Sequence, residues 1–104
     1  MDQIPATVRD CARWAGATLL ASEPRVRIFA FGSRASGLAS PRSDVDVGID
    51  LSHPVPPALL DRMREAFANL PILQKVDVVD FSRVEPEFGD MALRRIEVLY
   101  ERTA

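Results

Sequence analysis

The chain has one cysteine, one histidine, one tyrosine and one tryptophan among its 104 residues. A lone cysteine, Cys11, excludes an internal disulfide and suits a reducing cytoplasm. A lone histidine, His53, leaves no cluster of imidazole and thiol groups of the kind that binds zinc. It lies in Ser52-His53-Pro54-Val55-Pro56-Pro57, where it is expected to be an exposed loop residue. An excess of positive charge is also missing. Thirteen Lys and Arg against 15 Asp and Glu give a net charge of −2, so no direct nucleic-acid contact is expected. No apolar run is long enough to cross a bilayer. The N-terminus has no basic region followed by an apolar stretch. Neither a membrane span nor a secretory signal is therefore expected, and the expected location is cytoplasmic.

What is present is an ordinary globular composition, 47% hydrophobic and 27% charged. At this length it suits one core and one domain over residues 1–104. Val8, Cys11, Ala12, Ala15 and Leu19 recur at helical spacing and predict a helix over 5–21, with Trp14 off the centre of the stripe. The stripe Leu59, Leu60, Met63, Ala66, Phe67 and Leu70 predicts a second helix over 57–70, stopped by Pro71. A third is expected over 86–96, with Phe88, Met91, Ala92 and Arg95 on one side and Arg94 and Arg95 near its C-terminal dipole. Strands are expected near 26–31, 45–51, 75–80 and 97–100. Together these predict an α/β fold, a small mixed sheet of about four strands covered by helices, with the acidic residues opposite the main helical layer.

Two short pieces carry the chemistry. In Asp44-Val45-Asp46-Val47-Gly48-Ile49-Asp50-Leu51, strand alternation puts Val45, Val47, Ile49 and Leu51 on one face. Asp44 and Asp46 then share the other face, where two carboxylates repel unless a cation sits between them. Oxygen ligands of this kind suit Mg²⁺, which takes one or two carboxylates together with substrate phosphate oxygens. Asp50 has the same parity but lies about 13 Å along the strand from Asp46, too far to share an ion. In the strand near 75–80, Val76 and Val78 face the core, so Asp77 points toward the acidic pair and Asp80 points away from it. The second piece is Gly32-Ser33, directly after the apolar run Val26 to Phe31. A Gly-Ser turn lets the backbone approach a ligand, and its N–H groups and hydroxyl can cradle phosphates. A short helical turn is expected over Ser33 to Ala39. A phosphate cradle facing a metal-binding carboxylate pair is the layout of phosphoryl or nucleotidyl transfer.

Gly32-Ser33, Gly37 and Ser43-Asp44-Val45-Asp46 together resemble the signature of the nucleotidyltransferase superfamily related to DNA polymerase beta. The spacing and small size are similar to its minimal nucleotidyltransferase branch, whose members are antitoxins paired with HEPN-domain toxins. The resemblance covers nearly the whole chain. It departs from the family pattern at Ser36, where a basic residue is often found. The resemblance implies ATP as substrate, two Mg²⁺ ions, and transfer of AMP to a hydroxyl, a tyrosine of the toxin, which silences it. It implies Asp44, Asp46 and Asp77 as the catalytic, metal-binding acids, with Gly32, Ser33, Arg34 and Ser43 on the nucleotide. Little of the chain is left over to hold an acceptor, so the acceptor is expected to bring its own surface, in a hetero-oligomer with the toxin. The alternative is an antitoxin that neutralises its toxin by binding alone.

Overall fold

Val26–Phe31 is the strand on which the sheet is built. In the computed structural model, which describes residues 4–32 and 44–103, the elements run α1 (Ala6–Thr18), β1 (Val26–Phe31), β2 (Val45–Asp50), α2 (Pro57–Ala68), β3 (Val76–Asp80), α3 (Pro86–Ala92) and β4 (Glu97–Arg102). The sheet order is β3-β2-β1-β4. β1 is antiparallel to both β2 and β4, while β2 and β3 are parallel and joined through α2. The mixed four-stranded α/β arrangement is the one expected from the sequence. The expected turn over Ser33 to Ala39 lies outside the described residues.

One face of the sheet forms the main core. Val26, Ile28 and Ala30 of β1, Val45, Val47 and Ile49 of β2, and Val78 of β3 pack with Val8, Ala12, Ala15, Met63 and Phe67 of α1 and α2. β-branched residues suit these half-covered strands, and each large side chain removed from water there contributes about 1.5–3 kcal/mol. Cys11 is buried within the α1 stripe, and burial pushes its thiol pKa up, which fits a packing residue rather than a nucleophile. Trp14 stays 52% exposed.

The helices are shorter than their periodicity predicts. α1 ends at Thr18 instead of residue 21, and Arg102 satisfies the carbonyls at that end. Its guanidinium donates to the backbone oxygens of Gly16 at 3.2 Å and of Leu20 and Glu23 at 2.6 Å. This anchor and the pairing of Val26 with Arg102 carry β4 two residues beyond the expected 97–100. α2 unwinds after Ala68, with Asn69 closing the last turn, because the residue before Pro71 is pushed out of helical geometry. α3 ends at Ala92, not 96, since the chain must turn within 93–96 to bring Glu97 opposite Ala30. Arg94 and Arg95 thus follow the helix rather than complete its last turn.

The opposite sheet face is not simply polar. Phe29, Phe31, Phe81 and Phe88 form a second, aromatic cluster there. Phe81 meets Phe29 and Phe31 edge-on at centroid distances of 4.8 and 5.0 Å, and Phe88 meets Phe31 at 6.1 Å. Gly48 makes room for it: a Cβ at that position would come within 2.5 Å of the Phe29 ring and 2.7 Å of Phe81. This packing holds α3 against the acid-bearing face.

His53 is exposed, as expected, but it is not idle. Its Nε2 lies 2.5 Å from Glu23 Oε1 and its Nδ1 lies 2.9 Å from the Pro54 carbonyl. Both acceptors are satisfied only by the doubly protonated ring. The hydrogen bond to Glu23 chiefly raises the His53 pKa above its ordinary 6.5, with the Pro54 carbonyl adding to it. A raised basic pKa gives stability that is complete below the unfolded value and is lost as pH rises through the folded one. His53→Ala is therefore expected to lower Tm at about pH 5.5 and to leave it near wild type at about pH 9. Thermal melts at the two pH values check this; an equal loss at both contradicts it.

Candidate active site

The strand register assembles the acids. Asp46 on β2 lies opposite Phe31 of β1 on one side and opposite Asp77 of β3 on the other. Side chains at paired positions share a face, so Asp46 and Asp77 sit side by side, as strand parity predicts. Gly32 follows β1 directly, at φ 77°. That left-handed backbone favours glycine, and a Cβ there would come within 2.6 Å of Asp46 Oδ2. The Gly32 backbone therefore borders the carboxylate. Asp44, just ahead of β2, is exposed. The Asp46 pKa is raised, first by burial and then by the negative charges of Asp77 and Asp44. Asp46 thus lies within electrostatic reach of both other acids. The only ion pair of Asp77 among the described residues is with Lys75, Nζ to Oδ1 at 3.5 Å.

The other acids are otherwise engaged. Asp50, on the same face, pairs with Arg27 at 3.6 Å and accepts a hydrogen bond from the Ser52 N–H at 2.9 Å. Asp80 points to the core side, as predicted, and is 4% exposed. It accepts from the Val55 N–H and Ser82 N–H, each at 2.9 Å, from Ser82 Oγ at 2.8 Å and from Arg83 Nε at 3.2 Å. Burial alone pushes its carboxyl up, but these donors and the Arg83 charge outweigh it, and the net shift is down. Ser33, Arg34 and Ser43 lie outside the described residues.

A cavity of about 1140 Å³ opens over the acids. Gly32, Asp46 and Asp77 line one part, and residues of α2, of the connection into β3 and β3 itself, of α3 and of the turn after α3 line the rest. Among the latter are Arg64, Arg94 and Arg95; the sequence accounts for Arg94 and Arg95 only as partners of a helix dipole. Their signal in the sequence is faint, since only the three-dimensional path of the chain brings 64 and 94–95 to one cleft.

Among the described residues, no group of three or more His, Cys, Asp or Glu side chains closes around a common point as a metal cage would. Magnesium does not require one, because it is commonly held by one or two carboxylates with phosphate oxygens and water completing its shell. Asp46 and Asp77 fit that mode: both are hard oxygen donors, adjacent in register, and among the described residues their repulsion is opposed only by an exposed lysine. Asp46→Asn is accordingly expected to raise the Tm of the metal-free protein by a few degrees, by removing one of three like charges. Added Mg²⁺ is expected to raise the Tm of wild type and to do little for the variant. Melts with and without Mg²⁺ check this; a lower Tm for the variant without metal contradicts it.

The sequence profile of the family described as nucleotidyltransferase domain matches residues 17–104. The chain belongs to this family. Among curated relatives, the probable protein adenylyltransferase MntA of Haemophilus influenzae is 30% identical over 79 residues, covering 76% of this chain and 69% of that protein. Two solved structures share the nucleotidyltransferase fold. One is a crystal structure of a toxin–antitoxin with AMP-PNP, with a TM-score of 0.65 at 16% identity over 92% of this chain and 73% of that one. The other is the tri-AMPylated HEPN toxin of Shewanella oneidensis in complex with its MNT antitoxin, with a TM-score of 0.58 at 15% identity over 88% and 71%. At these identities the likeness concerns the fold. Within this nucleotidyltransferase domain, no described helix is long and apolar enough to cross a membrane.

Proposed function

We propose that this nucleotidyltransferase transfers AMP from ATP to a hydroxyl, a tyrosine, of a HEPN toxin and so acts in the cytoplasm as its antitoxin, in a hetero-oligomer with it. The carrying observation is the register that sets Asp46 beside Asp77 and against the Gly32 backbone. The family supports nucleotidyl transfer. The name of the Haemophilus influenzae relative supports protein as the acceptor, and the toxin–antitoxin structures support the kind of partner and the nucleotide.

In this reading Asp44, Asp46 and Asp77 hold Mg²⁺, two ions in all. Bound there, the metal supplies neutralisation of charge at the reacting phosphate and the departing pyrophosphate. Gly32, with Ser33, Arg34 and Ser43, holds the triphosphate. Asp77 draws the proton from the acceptor hydroxyl as its oxygen attacks the α-phosphorus. The acceptor's O–P bond forms, the bond to pyrophosphate breaks, and the aromatic cluster keeps the acid face shielded on one side.

The test uses ATP labelled at either the α- or the γ-phosphate, with Mg²⁺ and a HEPN-domain toxin as acceptor. Label from the α-position is expected on the acceptor and label from the γ-position is not. Transfer of the γ-label would replace adenylyl transfer with phosphoryl transfer, and absence of both would remove the enzyme reading.

A further inference from the structure

The cavity has a second half that the chemistry above does not use. It runs along the outer edge of β3, an edge strand of the sheet, between the end of α2 and the turn after α3. Its floor is apolar, with Leu70, Ile72, Phe88 and Met91 lining it. Phe88 and Met91 are 46% and 66% exposed, which is unusual for adjacent large apolar side chains on one short helix. Its rim is basic, formed by Arg64, Lys75, Arg94 and Arg95 in a chain whose net charge is −2. Lys75 pairs with Asp77, and the Arg64 guanidinium donates to the Val78 carbonyl at 3.3 Å. That contact also occupies part of the strand edge and disfavours pairing with another strand. The Arg94 and Arg95 side chains make no ion pair among the described residues.

Resting on the reading of the site as a protein adenylyltransferase centre, we propose that this half of the cavity is the acceptor-docking surface. Arg94 and Arg95 seat an acidic segment of the protein acceptor there, and Phe88 and Met91 pack under it. Three observations select this occupant. The groove is continuous with Asp46 and Asp77, so a segment lying in it delivers its hydroxyl to the acids. The whole cavity, at about 1140 Å³, exceeds the roughly 300–1,000 Å³ typical of a site for one small molecule, leaving space beside the nucleotide. Its side chains are those enriched where proteins meet, aromatic, Met and Arg around an apolar centre, and the positive rim complements a negative segment.

The test is the double variant Arg94→Glu/Arg95→Glu. Affinity is measured separately for the HEPN toxin and for AMP-PNP with Mg²⁺, alongside a thermal melt. Both arginines are exposed, so Tm is expected to stay near wild type. Affinity for the acceptor protein is expected to fall about tenfold or more, as reversing two rim charges does where complementarity holds, while AMP-PNP affinity is unchanged. Wild-type transfer to the acceptor is expected to be inhibited by a Glu–Tyr copolymer and not by a Lys–Tyr copolymer. Unchanged acceptor affinity overturns the proposal, as does a comparable loss of AMP-PNP affinity, which would give the arginines to the nucleotide. Failure of the transferase reading looks different: wild type then modifies nothing, although charge reversal still weakens the complex.

Discussion

Asp77→Asn is expected to reduce AMP transfer by about 10²–10⁴-fold, the range attached to losing a positioned general base. The amide preserves the shape of the side chain and its place opposite Asp46. In the proposed mechanism it loses the charge that would hold a cation and the basicity that would accept the acceptor's proton. Little stability depends on it, since the Asp77 side chain is 42% exposed and its ion pair is with an exposed lysine. Single-turnover transfer, with partner binding measured in parallel, separates the two properties: transfer falls and binding persists. Growth rescue in cells that co-express the toxin should fall with transfer. Full rescue by this variant would mean that contact alone neutralises the toxin.

Asp80→Ala is expected to act through stability instead. The carboxylate is buried and collects two backbone N–H groups, one hydroxyl and one guanidinium. Deletion strands the buried Val55 N–H, and an unsatisfied buried donor costs about 1–3 kcal/mol. Loss of the second N–H and of the charged partner adds to this, so a total of about 3 kcal/mol is expected. Because these donors also hold the Asp80 pKa down, its contribution is present above the ordinary carboxylate range and is lost as pH falls through the lowered value. Urea unfolding near neutral pH should show a reduced midpoint with an unchanged slope. The folded fraction of Asp80→Ala should retain transfer. A stable but inactive Asp80→Ala protein would show that the roles of the two strand acids have been exchanged.

Alternation along β2 and β3 was enough to separate these two acids. Asp46 and Asp77 share a face, Asp80 takes the other, and Val45, Val47, Ile49 and Val78 fill the core. With a period of two, the valines and isoleucine mark the core face and the acids mark the other, so the sequence states the strand's orientation. What alternation does not encode is pairing. That Asp46 falls directly opposite Asp77, rather than one step along, depends on how α2 returns the chain to the sheet. The aromatic cluster was hidden for a related reason: Phe29 and Phe31 are remote in sequence from Phe81 and Phe88, and Gly48, the residue that lets them close over the strand, reads locally only as a gap. Helix ends were misjudged where tertiary contacts decide them, as Arg102 does for α1 and the entry into β4 does for α3. The place of Arg94 and Arg95 in the cleft is hidden because basic residues in the last turn of an expected helix have an adequate local explanation in the helix dipole.

The central claim is that the acidic pair beside Gly32 makes this chain a protein adenylyltransferase. Intact mass spectrometry of a HEPN-domain partner, after incubation with this chain, ATP and Mg²⁺, tests it most directly. The account predicts a mass increase of one or more whole AMP units on the partner, abolished by Asp77→Asn. A partner that forms the complex, loses its toxicity and keeps its original mass would contradict it.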